Sequence, residues 1–132
     1  MVEAASGRVR PVDGQELSYG YKTAAQFAAA RKSAQHDLLP LVRDPAKYGR
    51  VFSLGFGLWL DNDWRKAGWD PENLSKNYFS PEALEASARE ALRAADEYVW
   101  IYSETPRWWS NEGKSVKLPA AYDRALRQAR GK

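Results

Sequence analysis

Apolar positions fall into two kinds of segment along the chain. Val51-Phe-Ser-Leu-Gly-Phe-Gly-Leu-Trp-Leu60 and Tyr98-Val-Trp-Ile-Tyr102 are short, nearly unbroken apolar runs rich in β-branched and aromatic residues. They are too short for lone helices and predict strands buried on both faces, as in parallel sheets. Arg8-Val-Arg-Pro-Val-Asp13 is a weaker alternation holding a proline, and predicts an edge strand or the start of one.

Elsewhere the apolar spacing is three or four residues, the period of a helix. Thr23-Ala-Ala-Gln26 has the form of a capping box, and Phe27, Ala30, Ala34 and Leu38 make one stripe of a helix reaching about Leu39. Pro40 bends or stops it. Asp44-Pro45-Ala-Lys-Tyr48 predicts one further turn, capped by Asp44 and closed by Gly49. Ser80-Pro81-Glu82 opens a stronger helix, with Leu84, Ala88, Ala91, Leu92 and Ala95 on its apolar face. Leu118-Pro119 begins a last one, carrying Tyr122, Ala125, Leu126 and Ala129.

Strand, helix, strand, helix, strand, helix is the order of an α/β fold. It predicts three successive βα units with right-handed crossovers and a parallel sheet. The chain of 132 residues is expected to form a single unit, with residues 1–7 as a flexible N-terminus. The segments that follow the strands are long and carry Asp, Glu, Tyr and Trp, whereas only Asp96 and Glu97 separate the third helix from Tyr98. In parallel α/β folds the loops after strands carry function, so this asymmetry marks one working face. Within 51–60, Ser53, Gly55 and Gly57 alternate with Phe52, Leu54, Phe56 and Leu58. The small side suits a crowded interior or a close neighbour, with helix packing against the glycines as the alternative.

Composition changes this picture in a few respects. There is no cysteine, which excludes disulfides and Cys-based metal sites or nucleophiles, and a lone His36 in a helical pattern does not suggest a His-ligated metal or a Ser-His triad. No metal and no cofactor is expected. A net charge of +3 without a basic run gives weak grounds for nucleic-acid binding. No apolar run approaches the ~18 residues of a membrane span, and residues 1–7 lack the features of a signal peptide, so a soluble chain without a membrane partner is expected. Gly55-Phe-Gly57 lies inside a predicted strand rather than between strand and helix, which removes a nucleotide-binding loop. Six Trp and seven Tyr in so short a chain must pack somewhere or stack on something.

Acidic residues follow each predicted strand: Asp13 or Glu16, Asp61 or Asp63, and Glu104. Neighbouring parallel strands lie ~4.8 Å apart, so carboxylates at their tips can stand roughly 5 to 10 Å from one another. That covers both geometries of glycoside hydrolysis. Trp64, Trp69, Trp108 and Trp109 are candidate platforms for a sugar's C–H face, with Arg107 beside the last two and Tyr19 and Tyr21 in the loop after the first strand as further binding candidates. The plainer alternative is that the acids cap loops or pair with arginines, and that the indoles pack those loops down. Trp59 and Trp100, inside strands, are expected in the core.

Leu54-Gly-Phe-Gly-Leu-Trp-Leu-Asp61, Ala95-Asp-Glu-Tyr-Val-Trp-Ile-Tyr-Ser-Glu104 and Asp13-Gly-Gln-Glu16, with Tyr19 and Tyr21, resemble the last part of bacterial glycoside-hydrolase-like (β/α)8 barrel proteins. The resemblance covers nearly all of residues 8–130. It implies that the three strands are the sixth, seventh and eighth of a barrel, with Glu16, Asp61 and Glu104 on its catalytic rim. Many such barrels carry a glutamate where this chain has Asp61, and the acid after the fourth strand lies outside this chain. Hydrolysis would then require the missing units from another chain or a longer gene. Three parallel strands cannot close a barrel. The chain is accordingly expected to be part of a larger barrel, or a small open sheet completed by a homo-oligomer or a complementing chain. Two further functions stand beside hydrolysis: non-catalytic binding of a carbohydrate or partner through the Trp- and Tyr-rich loops, and assembly through the same loops.

Overall fold

The computed structural model describes residues 10–62, 68–109 and 116–131. The architecture is mixed α/β, with four α-helices and short parallel ladders. Strand β1 (Val12–Asp13) pairs with β2 (Ser53–Leu54), and β3 (Phe56–Trp59) pairs with β4 (Val99–Tyr102). Only Gly55 separates β2 from β3. Ser53 and Gly55 donate their N–H groups to Pro11 and Asp13, while Phe56 and Leu60 donate to Tyr98 and Tyr102. Alternate residues of a strand bond to opposite sides, so the segment from Ser53 to Trp59 is the middle strand, flanked by β1 and β4. All these pairings are parallel, as the sequence predicts. The described residues form no closed barrel.

Where β1 ends, a side chain continues its work. The chain leaves the sheet at Gly14 and turns into a 3-10 helix, Glu16–Gly20. Buried in that helix, the Ser18 hydroxyl accepts from the Gly57 N–H at 3.1 Å and donates to the Gly57 C=O at 2.8 Å. It satisfies both backbone groups that a longer β1 would have paired.

The helices cover one face of the sheet. α1 (Ala24–Lys32) begins at the expected capping box, in which Thr23 and Gln26 satisfy each other's backbone. It runs on into a single π-helical turn, Ser33–Asp37, and then a 3-10 turn, Leu39–Leu41, containing Pro40. The wider turn ends the apolar stripe early: Phe27, Ala30 and Ala34 are buried, but Leu38 is exposed. α2 (Pro45–Val51) starts at the Asp44 cap as expected, yet passes through Gly49 and takes up Val51. The middle strand therefore starts at Ser53 rather than Val51. α3 (Pro81–Ala94) opens at the Ser80 cap with Pro81 in its first turn. α4 (Ala120–Ala129) packs against it.

Leu54, Phe56, Leu58 and Leu60 project toward these helices and are fully buried with Phe27, Leu84, Ala91 and Tyr122. The opposite face carries Val12, Gly55, Gly57, Trp59, Trp100 and Tyr102, and no described α-helix lies on it. The glycines thus make room for aromatic rings rather than for an α-helix. The Trp100 ring lies across them: a Cβ on Gly55 would stand 3.0 Å from the indole, and one on Gly57 would stand 2.7 Å from its Nε1.

Two loops contain more order than their polar composition suggests. Asn77 is buried and ties the long connection to the body, accepting from the Asp70 N–H at 2.8 Å and donating to the Asp70 C=O and the Tyr122 hydroxyl. After Glu104, β5 (Pro106–Arg107) and β6 (Val116–Lys117) form a small parallel ladder that was not anticipated.

Candidate functional site

The carboxyl ends of the middle strand and β4 lie side by side, since Trp59 pairs in register with Tyr102. Asp61 and Glu104, two residues farther along each chain, come together there. The Asp61 carboxylate accepts from the Glu104 N–H at 3.1 Å to each oxygen, from the Thr105 N–H at 2.6 Å, and from the Trp59 indole N–H at 3.0 Å. Four contacts from three donors hold it in place. Its observed role is to hold the start of the loop after β4.

Glu104 is different. Its carboxylate is exposed and accepts from the Tyr102 hydroxyl at 3.0 Å. This hydrogen bond, with weaker contributions from burial and the charges of Glu104 and Asp61, raises the Tyr102 phenol above its ordinary value. The phenol stays protonated and donating through the neutral range.

Three aromatic rings gather beside this pair on the uncovered sheet face. Tyr19 stacks with Tyr102 at 6.1 Å between centroids, Trp59 meets Tyr102 edge-on at 5.3 Å, and Tyr19 meets Trp59 edge-on at 6.1 Å. Gly57 permits this, because the Tyr19 ring occupies the space a side chain there would need. Tyr102 is 41% exposed, so the cluster presents a ring surface to solvent rather than a sealed core. Trp59 was expected in the core and instead belongs to this surface. Its period-2 position opposite Leu58 and Leu60 was the available signal.

The remaining expected site residues are placed as follows. Asp13 aligns with Leu54, seven residues before Asp61 and thus up to about 23 Å back along the strand at ~3.3 Å per residue. Its carboxylate accepts from the backbone and side chain of Gln15. Glu16 is exposed in the first turn of the 3-10 helix that carries Tyr19. Tyr21 packs edge-on against Phe27 at the helix side and does not join the cluster. Trp69 packs on Tyr122 at 5.3 Å, pinning its loop to the core. Asp63 and Trp64 lie outside the described residues. Arg107, Trp108 and Trp109 are exposed, with Trp109 at 77%, and together with Tyr102 they line a cleft of about 300 Å³ on the outer side of β4.

Among the described residues no group of three or more His, Cys, Asp or Glu stands close enough to hold a metal ion, and no helix is long and apolar enough to cross a membrane. Comparison of the chain with protein-family models, curated proteins and solved structures found no match.

Proposed function

We propose that the chain binds carbohydrate at the carboxyl end of its sheet, through Tyr19, Trp59 and Tyr102 with Glu104 beside them. The observation that carries this is a three-ring cluster, half-buried at Tyr19 and Trp59 and exposed at Tyr102, adjoining a solvent-facing carboxylate on a sheet face that no described α-helix covers. A pyranose has a flat, weakly apolar C–H face that stacks on a ring, and hydroxyls at its rim that a carboxylate accepts and a phenol completes. Binding is favoured over hydrolysis by the structural engagement of Asp61. Two-carboxylate hydrolysis needs both carboxyl groups free to face the scissile bond. Here the carboxylate next to Glu104 is engaged by three N–H donors.

A hydrolytic barrel portion is the second reading, with Glu104, Asp61 and Glu16 as its acids. It is favoured by the parallel register that brings Asp61 and Glu104 to one end, and by a sheet that other strands could extend. Titrating the chain with a panel of neutral and acidic oligosaccharides, followed by tryptophan fluorescence, separates the two. Binding that Tyr102→Ala weakens at least roughly tenfold, without product formation, supports the binding module. Turnover lost in Glu104→Gln supports the hydrolase. A chain that binds no glycan at millimolar concentration sinks both.

A further inference from the structure

No described strand pairs with the outer edge of β4. Tyr98, Trp100 and Tyr102 turn their backbone groups toward the middle strand, so Val99 and Ile101 aim theirs away from it. Those outward N–H and C=O groups bond to no described residue. A groove of about 520 Å³ runs between this edge and α4, with Leu92, Leu126 and Trp108 along its apolar walls. It meets the cleft of about 300 Å³ at Ile101 and Trp108, so one trough follows the strand edge. Leu92 and Trp108 are about 40% exposed in it.

The charges along the trough are uneven. Glu97 is paired with Arg10 and Asp123 with Arg127. Arg130, at the end where β4 begins, and Arg107, where it finishes, have no acidic partner among the described residues. Unpaired strand-edge groups, an apolar wall beside them and a cation at each end together define a ligand. We infer that the β4 edge takes an extended peptide segment from another protein, apolar at alternate positions and acidic at both ends, added as a fourth strand. Its backbone pairs with Val99 and Ile101, its inward side chains fill the groove, and its terminal carboxylates meet Arg107 and Arg130. The site meets the saccharide surface at Tyr102, but peptide docking there does not depend on saccharide binding.

The probe is an acetylated, amidated octapeptide of alternating valine and threonine with aspartate at each end, titrated against the intact chain by tryptophan fluorescence and hydrogen exchange. Binding is expected with slowed exchange at the Val99 and Ile101 amides. In the variant carrying Arg107→Glu and Arg130→Glu, affinity for this peptide falls at least roughly tenfold, and the same peptide with lysine ends binds in its place. Val99→Pro removes one outward donor while leaving the bonds to β3 intact, and is expected to weaken both pairings. The inference is overturned if the peptide does not bind at millimolar concentration, or if it binds with those amides unprotected. It is equally overturned if charge reversal has no effect, or if sedimentation shows a self-associated chain whose own copy protects the same amides.

Discussion

The Asp61 carboxylate accepts the backbone N–H of Glu104, 43 positions later, with both of its oxygens at 3.1 Å. The loop after one strand is thus held by the residue that closes the neighbouring strand. Asp61→Ala strips acceptors from the Glu104, Thr105 and Trp59 N–H groups. Charge-assisted bonds at a partly exposed site lead us to expect a loss of about 1–2 kcal/mol in urea denaturation. Asp61→Asn, which keeps one acceptor, should lose about half that. A variant as stable as the parent would show that the carboxylate does not organise this loop.

Gly57 sits where two rings meet. A methyl group there would collide with the Tyr19 ring and press on Trp100. Gly57→Ala is expected to cost about 1–3 kcal/mol through overpacking, and to displace Tyr19 from Tyr102. The near-ultraviolet circular dichroism of the aromatic cluster should fall with it. An unchanged spectrum would mean that Tyr19 is not seated in the glycine notch.

Ser18→Ala tests the hydroxyl that stands in for a strand. Both the N–H and the C=O of Gly57 lose their buried partner. The expected cost is about 1–3 kcal/mol, measured by thermal or chemical unfolding. Ser18→Thr keeps the hydroxyl and separates its loss from a packing effect.

Asp96 governs an acid dependence. Burial pushes its carboxyl up, but the Leu54 N–H, the Arg31 guanidinium and the charge of Arg10 outweigh that and hold it below the ordinary carboxylate value. A lowered folded value means the unfolded chain binds the proton more readily. The stabilisation is full above the ordinary carboxylate range and drains away as pH falls through the lowered folded value. Asp96→Asn should therefore be less stable than the parent at pH 7, with the gap closing in acid. A gap that stays constant down to acid pH would remove Asp96 as the source.

The strands at 53–59 and 99–102 and the caps Thr23, Asp44 and Ser80 were legible because each rests on local chemistry: a dense apolar run, or an oxygen placed before a helix. Parallel pairing was legible from element order alone. The identity of the working residues was not. Tyr21 and Trp69 sit in loops rich in polar residues yet pack on Phe27 and Tyr122, because a ring near the body gains more by burial than by exposure. Trp59 lies in a buried-looking run but faces the uncovered side. Which face the helices choose depends on crossovers, and a run apolar on both faces does not declare it. Asp61 shows a second reason: a carboxylate after a strand can serve chemistry or cap a loop, and the sequence is the same in either case.

Each rung of the two main ladders joins residues more than forty positions apart, Val12 with Ser53 and Phe56 with Val99. Closing such loops loses chain entropy before any contact returns it, so the sheet is a late and slow product of folding. The capped fourteen-residue α3 needs no distant partner to start. Until sheet and helices close on one another, Phe56 and Leu58 lie bare on a nascent surface. In that interval, synthesis at high concentration carries its greatest danger of aggregation.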